Sequence, residues 1–175
     1  MALKMIELIE ALDNDNLVKI KDILENGIDL SKQVIIGEEY ELDEPDEIHI
    51  FFYAIRKHCS IEAIELLLEY GVDIFMLDEN GISTLDTAIK FKREDIIKLC
   101  IKKGFDLNKS TRKSGIKPLM LTSCFGDTKT AKLLIDNGAN VNARDKSGMN
   151  SLDYAKKLGQ KKMEKFLEDI ISTHS

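Results

Sequence analysis

RKSGIKPLMLTSCFGDTKTAKLLIDNGANVNARDKSG, residues 112–148, holds one complete structural phrase and the opening of the next. It begins on a glycine turn, Lys113-Ser114-Gly115, after which Pro118 takes a first-turn position where a helix has no use for the missing N–H. A second turn, CFGDTK, separates this short helix from another that runs to Asn137-Gly138, a glycine suited to the positive φ of a helix end. The opening turn then returns as Lys146-Ser147-Gly148.

The phrase recurs on both sides. ILENGIDL (23–30), LLEYGVDI (67–74), CIKKGFDL (100–107) and LIDNGANV (134–141) are variants of one ending, with Gly27, Gly71, Gly104 and Gly138 at spacings of 44, 33 and 34. DENGISTLDTAI (78–89), RKSGIKPLMLTS (112–123) and DKSGMNSLDYAK (145–156) place Gly81, Gly115 and Gly148 34 and 33 apart. Two independent landmarks with one period define a repeat architecture. Ser83 precedes Asp86 by three residues, as Asn150 precedes Asp153, and both pairs suit helix capping better than acid–base chemistry. The second helix carries an apolar cluster, Ile96, Ile97, Leu99, Cys100 and Ile101. Helices this short are unstable alone, so each pair must bury its apolar side on its neighbours.

These residues resemble the ankyrin repeat family, whose unit is about 33 residues of turn and two antiparallel helices. The likeness is strongest where Gly115-Ile116-Lys117-Pro118-Leu119 opens a first helix and Lys132 to Ala143 closes the second. The family's T-P-L-H is degenerate here, as Ser83-Thr84-Leu85-Asp86, Lys117-Pro118-Leu119-Met120 and Ser151-Leu152-Asp153, and no unit carries its histidine. The resemblance implies a single all-α, ankyrin-type helical repeat solenoid of about five helix pairs with short hairpin turns and one enlarged acidic loop. Its expected parts are an N-terminal capping repeat at 1–31, an acidic insertion loop at 32–47, repeats at 48–77, 78–111 and 112–144, and a C-terminal capping repeat at 145–175.

The insertion is the break in the period. Seven carboxylates stand in the ten positions from Glu38 to Glu47, and the interval from Gly27 to Gly71 exceeds 33 by eleven. One extra residue falls in the turn RKHCSIE and about ten in 31–47, with room for a short strand at Gln33 to Ile36 and a first helix starting close to Ile48. Residues 1–50 hold four basic and fourteen acidic residues against 21 and 17 in the remainder, so the chain is electrically polarised along its length.

Hydrophobic residues at 43% and charged residues at 32% describe an ordered, soluble chain, and no apolar run approaches the roughly 18 residues of a membrane span. Glu7 and Glu10 interrupt what a signal peptide would keep apolar. Cys59, Cys100 and Cys124 are odd in number with no C-x-x-C spacing, which points to a reducing, cytoplasmic setting. His49, His58 and His174 form no metal-ligand pattern, and no nucleophile-elbow, zinc-protease or phosphate-loop motif occurs, so neither a metal, a cofactor nor a catalytic residue is expected. The lysines of KSTRKSGIK (109–117) lack the aromatic interleaving of a nucleic-acid surface, and the acidic first third repels a polyanion.

The resemblance implies binding of another protein through hairpin tips and first-helix ends. Carried over unit by unit, the positions are Arg56, Lys57 and Tyr70, then Glu79, Asn80, Ile82, Lys90 and Phe91. The next unit offers Lys113, Ser114, Ile116, Cys124 and Phe125, and the last Lys146, Met149 and Lys157, with Leu158 beside it. Phe91 aligns with Phe125, and Ile82 with Ile116 and Met149, apolar groups at places an interface core requires. The carboxylates Glu38, Glu39, Glu41, Asp43 and Glu44 add an acidic element that would steer a partner with a basic patch. The expected function is a non-enzymatic interaction module, monomeric when free, that binds and inhibits or neutralises a partner, for example as an immunity protein against a basic toxin. A pathogen effector or scaffold that binds a host protein is the alternative, and a thiol-dependent enzyme using Cys124 a remote one.

Overall fold

The structure, a computed structural model, describes residues 2–36 and 46–173. Among them lie ten helices and two short strands: α1 (Ala2–Asp13), α2 (Leu17–Glu25), β1 (Gln33–Ile36), β2 (Asp46–His49), α3 (Ile50–Arg56), α4 (Ile61–Glu69), α5 (Thr84–Lys90), α6 (Glu94–Lys102), α7 (Pro118–Phe125), α8 (Thr128–Asp136), α9 (Ser151–Lys157) and α10 (Lys161–Thr173). The helices form five consecutive pairs, grouped in two compact units, residues 1–78 and 79–175.

Every pair turns on one left-handed residue. Asp15, His58, Lys92, Gly126 and Gly159 have φ of 48°, 57°, 55°, 64° and 68°. The second helix starts two residues later in four pairs and three later in the α3–α4 pair, which places the extra residue at Ser60. Ser60 turns that addition into a cap, its Oγ accepting from Ala63 N at 3.2 Å.

Capping follows the residue types. Ser83 Oγ accepts from Asp86 N at 3.1 Å while Ser83 N donates to Asp86 Oδ2 at 3.2 Å, and Asn150 with Asp153 repeats the exchange at 2.9 Å both ways. Pro118 occupies the first turn of α7.

In the first unit the core is built on α3, buried from Ile50 to Ile55, against Leu8, Leu12, Ile20, Ile64 and Leu67. The helix begins at Ile50, two residues after the start expected at Ile48, because Ile48 is held in β2. Strands β1 and β2 pair antiparallel with Gln33 opposite His49 and Val34 opposite Ile48, and Val34 and Ile48 are both buried. Residues 33–36 form the short strand for which the insertion has room, and 46–49 pair with it within the stretch expected as a loop at 32–47; the cross-strand pair Val34–Ile48 buries a face that a loop leaves wet. The carboxylates Glu38, Glu39, Glu41, Asp43 and Glu44 lie outside the described residues.

In the second unit α7 packs between α5 and α9, with Leu85, Ile89, Ile96, Ile97, Leu119, Met120 and Leu134 almost wholly buried. Of the apolar cluster on α6, Ile96, Ile97 and Cys100 are buried, while Leu99 and Ile101 are half-exposed. Helices α5 and α7 are buried from end to end except at their C-terminal residues, which decides what they can present to a partner. No buried side-chain nitrogen or oxygen among the described residues lacks a hydrogen bond.

Candidate functional site: hairpin tips and first-helix ends

The glycine turns that precede α5, α7 and α9 are stacked by short polar contacts. Thr111 Oγ1 donates to Gly81 O at 2.6 Å, Lys146 N donates to Ser114 O at 3.2 Å, and Lys117 Nζ donates to Arg144 O at 2.6 Å. A Cβ on Gly81 would sit 2.7 Å from Thr111 O, so the close approach of these turns needs glycine there. Below the tips Asn108 bridges two units, its Nδ2 donating to Gly138 O at 2.9 Å and its Oδ1 accepting from Asn140 N at 2.7 Å. These contacts join neighbouring units in a chain whose units lack the motif histidine, and the only hints in the sequence were an asparagine and a threonine in turns.

The last tip is the most tightly organised. Asp145 accepts from the amides of Ser147 and Met149, each at 2.9 Å, and from the Tyr154 hydroxyl at 2.6 Å. Burial and the Asp145 carboxylate push the Tyr154 hydroxyl up to about 12, and the hydrogen bond from Tyr154 is the main cause holding Asp145 low. The tip therefore presents Lys146 and Met149 from fixed backbone.

At the tips Glu79, Asn80, Lys113, Ser114 and Lys146 are exposed, and Ile82, Ile116 and Met149 half-exposed. At the helix ends Lys90 and Lys157 are exposed, Phe91 and Cys124 are half-buried, and Phe125 and Leu158 are 40% and 49% exposed. The Lys90 ammonium lies 5.6 Å from the centroid of the Phe91 ring. Gln160 Nε2 donates to Cys124 O at 3.2 Å and ties the end of α7 to the turn after α9, so Phe125 and Leu158 occupy equivalent places on adjacent helices. Tips and helix ends form two rows separated by the length of α7, eight residues or about 12 Å.

The first unit behaves differently. The Tyr53 hydroxyl donates to Asp13 at 2.6 Å, Lys57 lies 3.8 Å from the same carboxylate and 5.6 Å from the Tyr53 ring, and Arg56 is half-buried. The Tyr70 hydroxyl reaches Glu25 at 3.4 Å, and desolvation followed by that carboxylate raises its pKa. Lys57 and Tyr70 thus have partners within the fold. Besides Leu3, Ile6 and Val18, the exposed apolar side chains here are Phe75, 51%, and Leu77, 45%, where the later repeats carry Asn108 with Ser110 and Asn142 with Arg144. That swap from polar to apolar was the signal that sequence reasoning passed over.

Cys124 has no thiolate chemistry prepared for it. Burial pushes its thiol up, against a weaker opposite pull from Arg112, and a nucleophile needs the reverse. Cys100 is pushed up to about 12 by burial, and the Cys59 thiol donates to Leu12 O at 3.3 Å. Among the described residues no His, Cys, Asp and Glu group could hold a metal, and no helix is long and apolar enough to cross a membrane. A shallow depression of about 380 Å³ between α2 and α4 is open, with Val18 82% exposed at its edge.

Stacked helix pairs with hydrogen-bonded tips and exposed apolar helix ends define a helical-repeat architecture. The fold is an all-α, ankyrin-type repeat solenoid, and ankyrin repeats, which are generally non-enzymatic, indicate a protein–protein interaction module. Residues 99–171 match the family model for ankyrin repeats in three copies. Over 159 residues the chain is 28% identical to an L-asparaginase of Dirofilaria immitis, covering 91% of this chain and 25% of that protein. Two putative ankyrin repeat proteins of fowlpox virus (strain NVSL) are 29% identical over 146 residues and 33% over 116, covering 83% and 63% of this chain and 20% and 33% of theirs. The chain thus spans a third or less of the length of each of these relatives, and the activity named for the first is that protein's own.

Proposed function

We propose that the chain is a non-enzymatic module that binds another protein and neutralises it by covering its working surface. The supporting observation is the recurrence of exposed apolar side chains, Phe125 and Leu158, at equivalent ends of adjacent first helices, where an interface core forms. Charge refines the partner. Residues 1–78 hold six basic and nineteen acidic residues, a balance of −13, with Glu38, Glu39, Glu41, Asp43 and Glu44 among them, so a basic patch on the partner is steered toward this unit. A basic toxin held inactive by an immunity protein is one such pair. We further propose that the chain is monomeric when free and acts in the cytoplasm, where its three separate thiols stay reduced.

A second reading, a docking or scaffold segment, is favoured by coverage: the matched part is a quarter or less of several larger relatives. One experiment separates the two. A partner captured on the full chain is purified and titrated against the native chain and against Phe125→Glu/Leu158→Glu, and its own activity is measured with one equivalent bound. Neutralisation requires binding that is lost in the variant and activity that falls on binding. A partner that binds with its activity intact makes the chain a scaffold, and equal binding by both forms removes this surface from the function. With that partner, exchanging the five carboxylates for their amides lowers the association rate about tenfold at low salt and flattens its salt dependence.

A further inference from the structure

Several lysines of the second unit that lie on or face the second helices are paired within the fold. Lys98 lies 2.7 Å from Glu94, which Lys129 also pairs, Lys132 lies 2.6 Å from Asp136, Lys161 3.0 Å from Glu164, and Lys156, at the end of α9, 2.9 Å from Glu168. Lys129 first and Lys98 second hold the Glu94 carboxyl down to about 2. Lys113 and Lys146 at successive tips and Lys157 at the end of α9 are exposed and take part in no ion pair among the described residues, and the acid at the aligned tip position, Glu79, stands one repeat away from Lys113.

Around those cations lie the half-exposed Ile116 and Met149 and the exposed Phe125 and Leu158. Residues 79–175 hold nineteen basic and twelve acidic residues, a balance of +7, so the wider field has the same sign as the unpaired lysines. We infer that the surface formed by Lys113, Lys146, Lys157, Phe125 and Leu158 takes an acidic segment of a partner protein that carries apolar anchors. The inference rests on the protein-binding function proposed above and names the chemistry of the partner segment at this site.

Geometry sets the spacing of the ligand. Adjacent packed helices stand about 8–10 Å apart, so the exposed Phe125 and Leu158 side chains match two apolar side chains about three residues apart on an extended strand at roughly 3.3 Å per residue. Carboxylates flanking those anchors reach Lys157 on one side and, across the roughly 12 Å of α7, the tip lysines on the other. Desolvation by the apolar contacts strengthens the flanking charge pairs, which fixes the sign of the ligand more firmly than its length. A peptide suits the site better than nucleic acid, because the exposed apolar groups at the helix ends are an aromatic and an aliphatic side chain and no run of stacking rings accompanies the lysines.

The test is selection of a displayed random peptide library on the full chain, followed by titration of a labelled synthetic copy of the enriched sequence. The native chain is compared with Lys113→Glu/Lys146→Glu/Lys157→Glu and with Phe125→Ala/Leu158→Ala, each checked for an unchanged unfolding midpoint. Enrichment of Asp and Glu around two apolar residues, with affinity lowered about tenfold or more in both variants, is the expected result. Neutral or basic peptides that lose affinity only in Phe125→Ala/Leu158→Ala overturn the acidic partner and leave the protein-binding function standing. Failure to enrich any peptide that responds to either variant overturns both. A single-stranded oligonucleotide of arbitrary sequence that binds as tightly, through the same lysines, makes this a general polyanion surface and overturns the proposal.

Discussion

Nε of Arg112 lies 3.3 Å from Oδ2 of Asp86, so the turn of one repeat grips the carboxylate that caps the first helix of the repeat before it. Asp86 is 4% exposed, and its remaining partner at that oxygen is the Ser83 amide. Asp86→Ala removes both the cap and the pair and is expected to cost about 2–4 kcal/mol. Arg112→Met leaves the carboxylate buried with one partner fewer, at a cost of about 1–3 kcal/mol. Urea unfolding of both single variants and the double should show strong coupling, the double costing less than the two together. Additive costs would show that the contact carries no stability.

Asn108 stitches neighbouring units through two hydrogen bonds with the backbone of residues 138 and 140. Asn108→Ala should lower stability by about 1–2 kcal/mol, since both backbone groups then turn to solvent or go unpaired. Asn108→Asp, which keeps the acceptor for Asn140 N and loses the donor, should fall between the native chain and the alanine variant in chemical denaturation.

Lys92 has φ of 55°, in a turn where the next two repeats place Gly126 and Gly159 at 64° and 68°. A left-handed residue with a Cβ costs about 1 kcal/mol or more, partly offset by the extra freedom glycine has in the unfolded chain. Lys92→Gly is therefore expected to stabilise by roughly 0.5–1 kcal/mol and to raise the thermal midpoint by a few degrees. Lys92→Ala serves as the control, because it removes the same charge and keeps the strained conformation; a matching gain there would trace the effect to charge.

His49 caps α3 as a neutral acceptor, its Nδ1 taking the Phe51 amide at 3.1 Å. Desolvation lowers its pKa from 6.5, while a hydrogen bond with the Leu30 backbone pulls the other way. The unfolded chain then binds a proton more readily than the native one. Its contribution to stability is complete above the unfolded value and is lost as pH falls from there through the lower folded value. His49→Asn keeps an acceptor without a titration in this range, so the drop in urea midpoint between about pH 8 and pH 5.5 should be smaller in the variant. Parallel pH profiles for the two proteins would assign the acid sensitivity to other groups.

Much of the architecture was legible in the sequence because its causes are local. Ser83 with Asp86, Asn150 with Asp153 and Pro118 declare helix starts through hydrogen bonds and sterics that reach three residues at most. The extra residue in the α3–α4 turn was likewise visible as a break in a count. The pairing of Val34 with Ile48 was harder to read, because it joins segments on either side of the acidic run and depends on which face packs on α3. The candidate surface divided in the same way. Phe91 and Phe125 were visible as aligned apolar positions, but alignment could not show that Lys57 and Tyr70 have partners inside the fold.

The sequence by itself determined the repeat, its period, its caps and its likeness to ankyrin repeats, since each is written in spacing and in residue type at short range. Only the tertiary structure decided the charge pairs that cross between helices, Lys129 with Glu94 and Lys156 with Glu168. Lys129 and Lys113 are alike as cations in the sequence, yet one meets Glu94 of the preceding repeat and the other reaches the tip of a turn with no carboxylate paired to it among the described residues. Charge neutralisation depends on distances of a few ångströms between groups that the chain order places far apart or side by side without distinction. The acidic run is the sharpest charge feature of the sequence, while the recognition surface proposed from the fold is the basic, apolar face of the second unit.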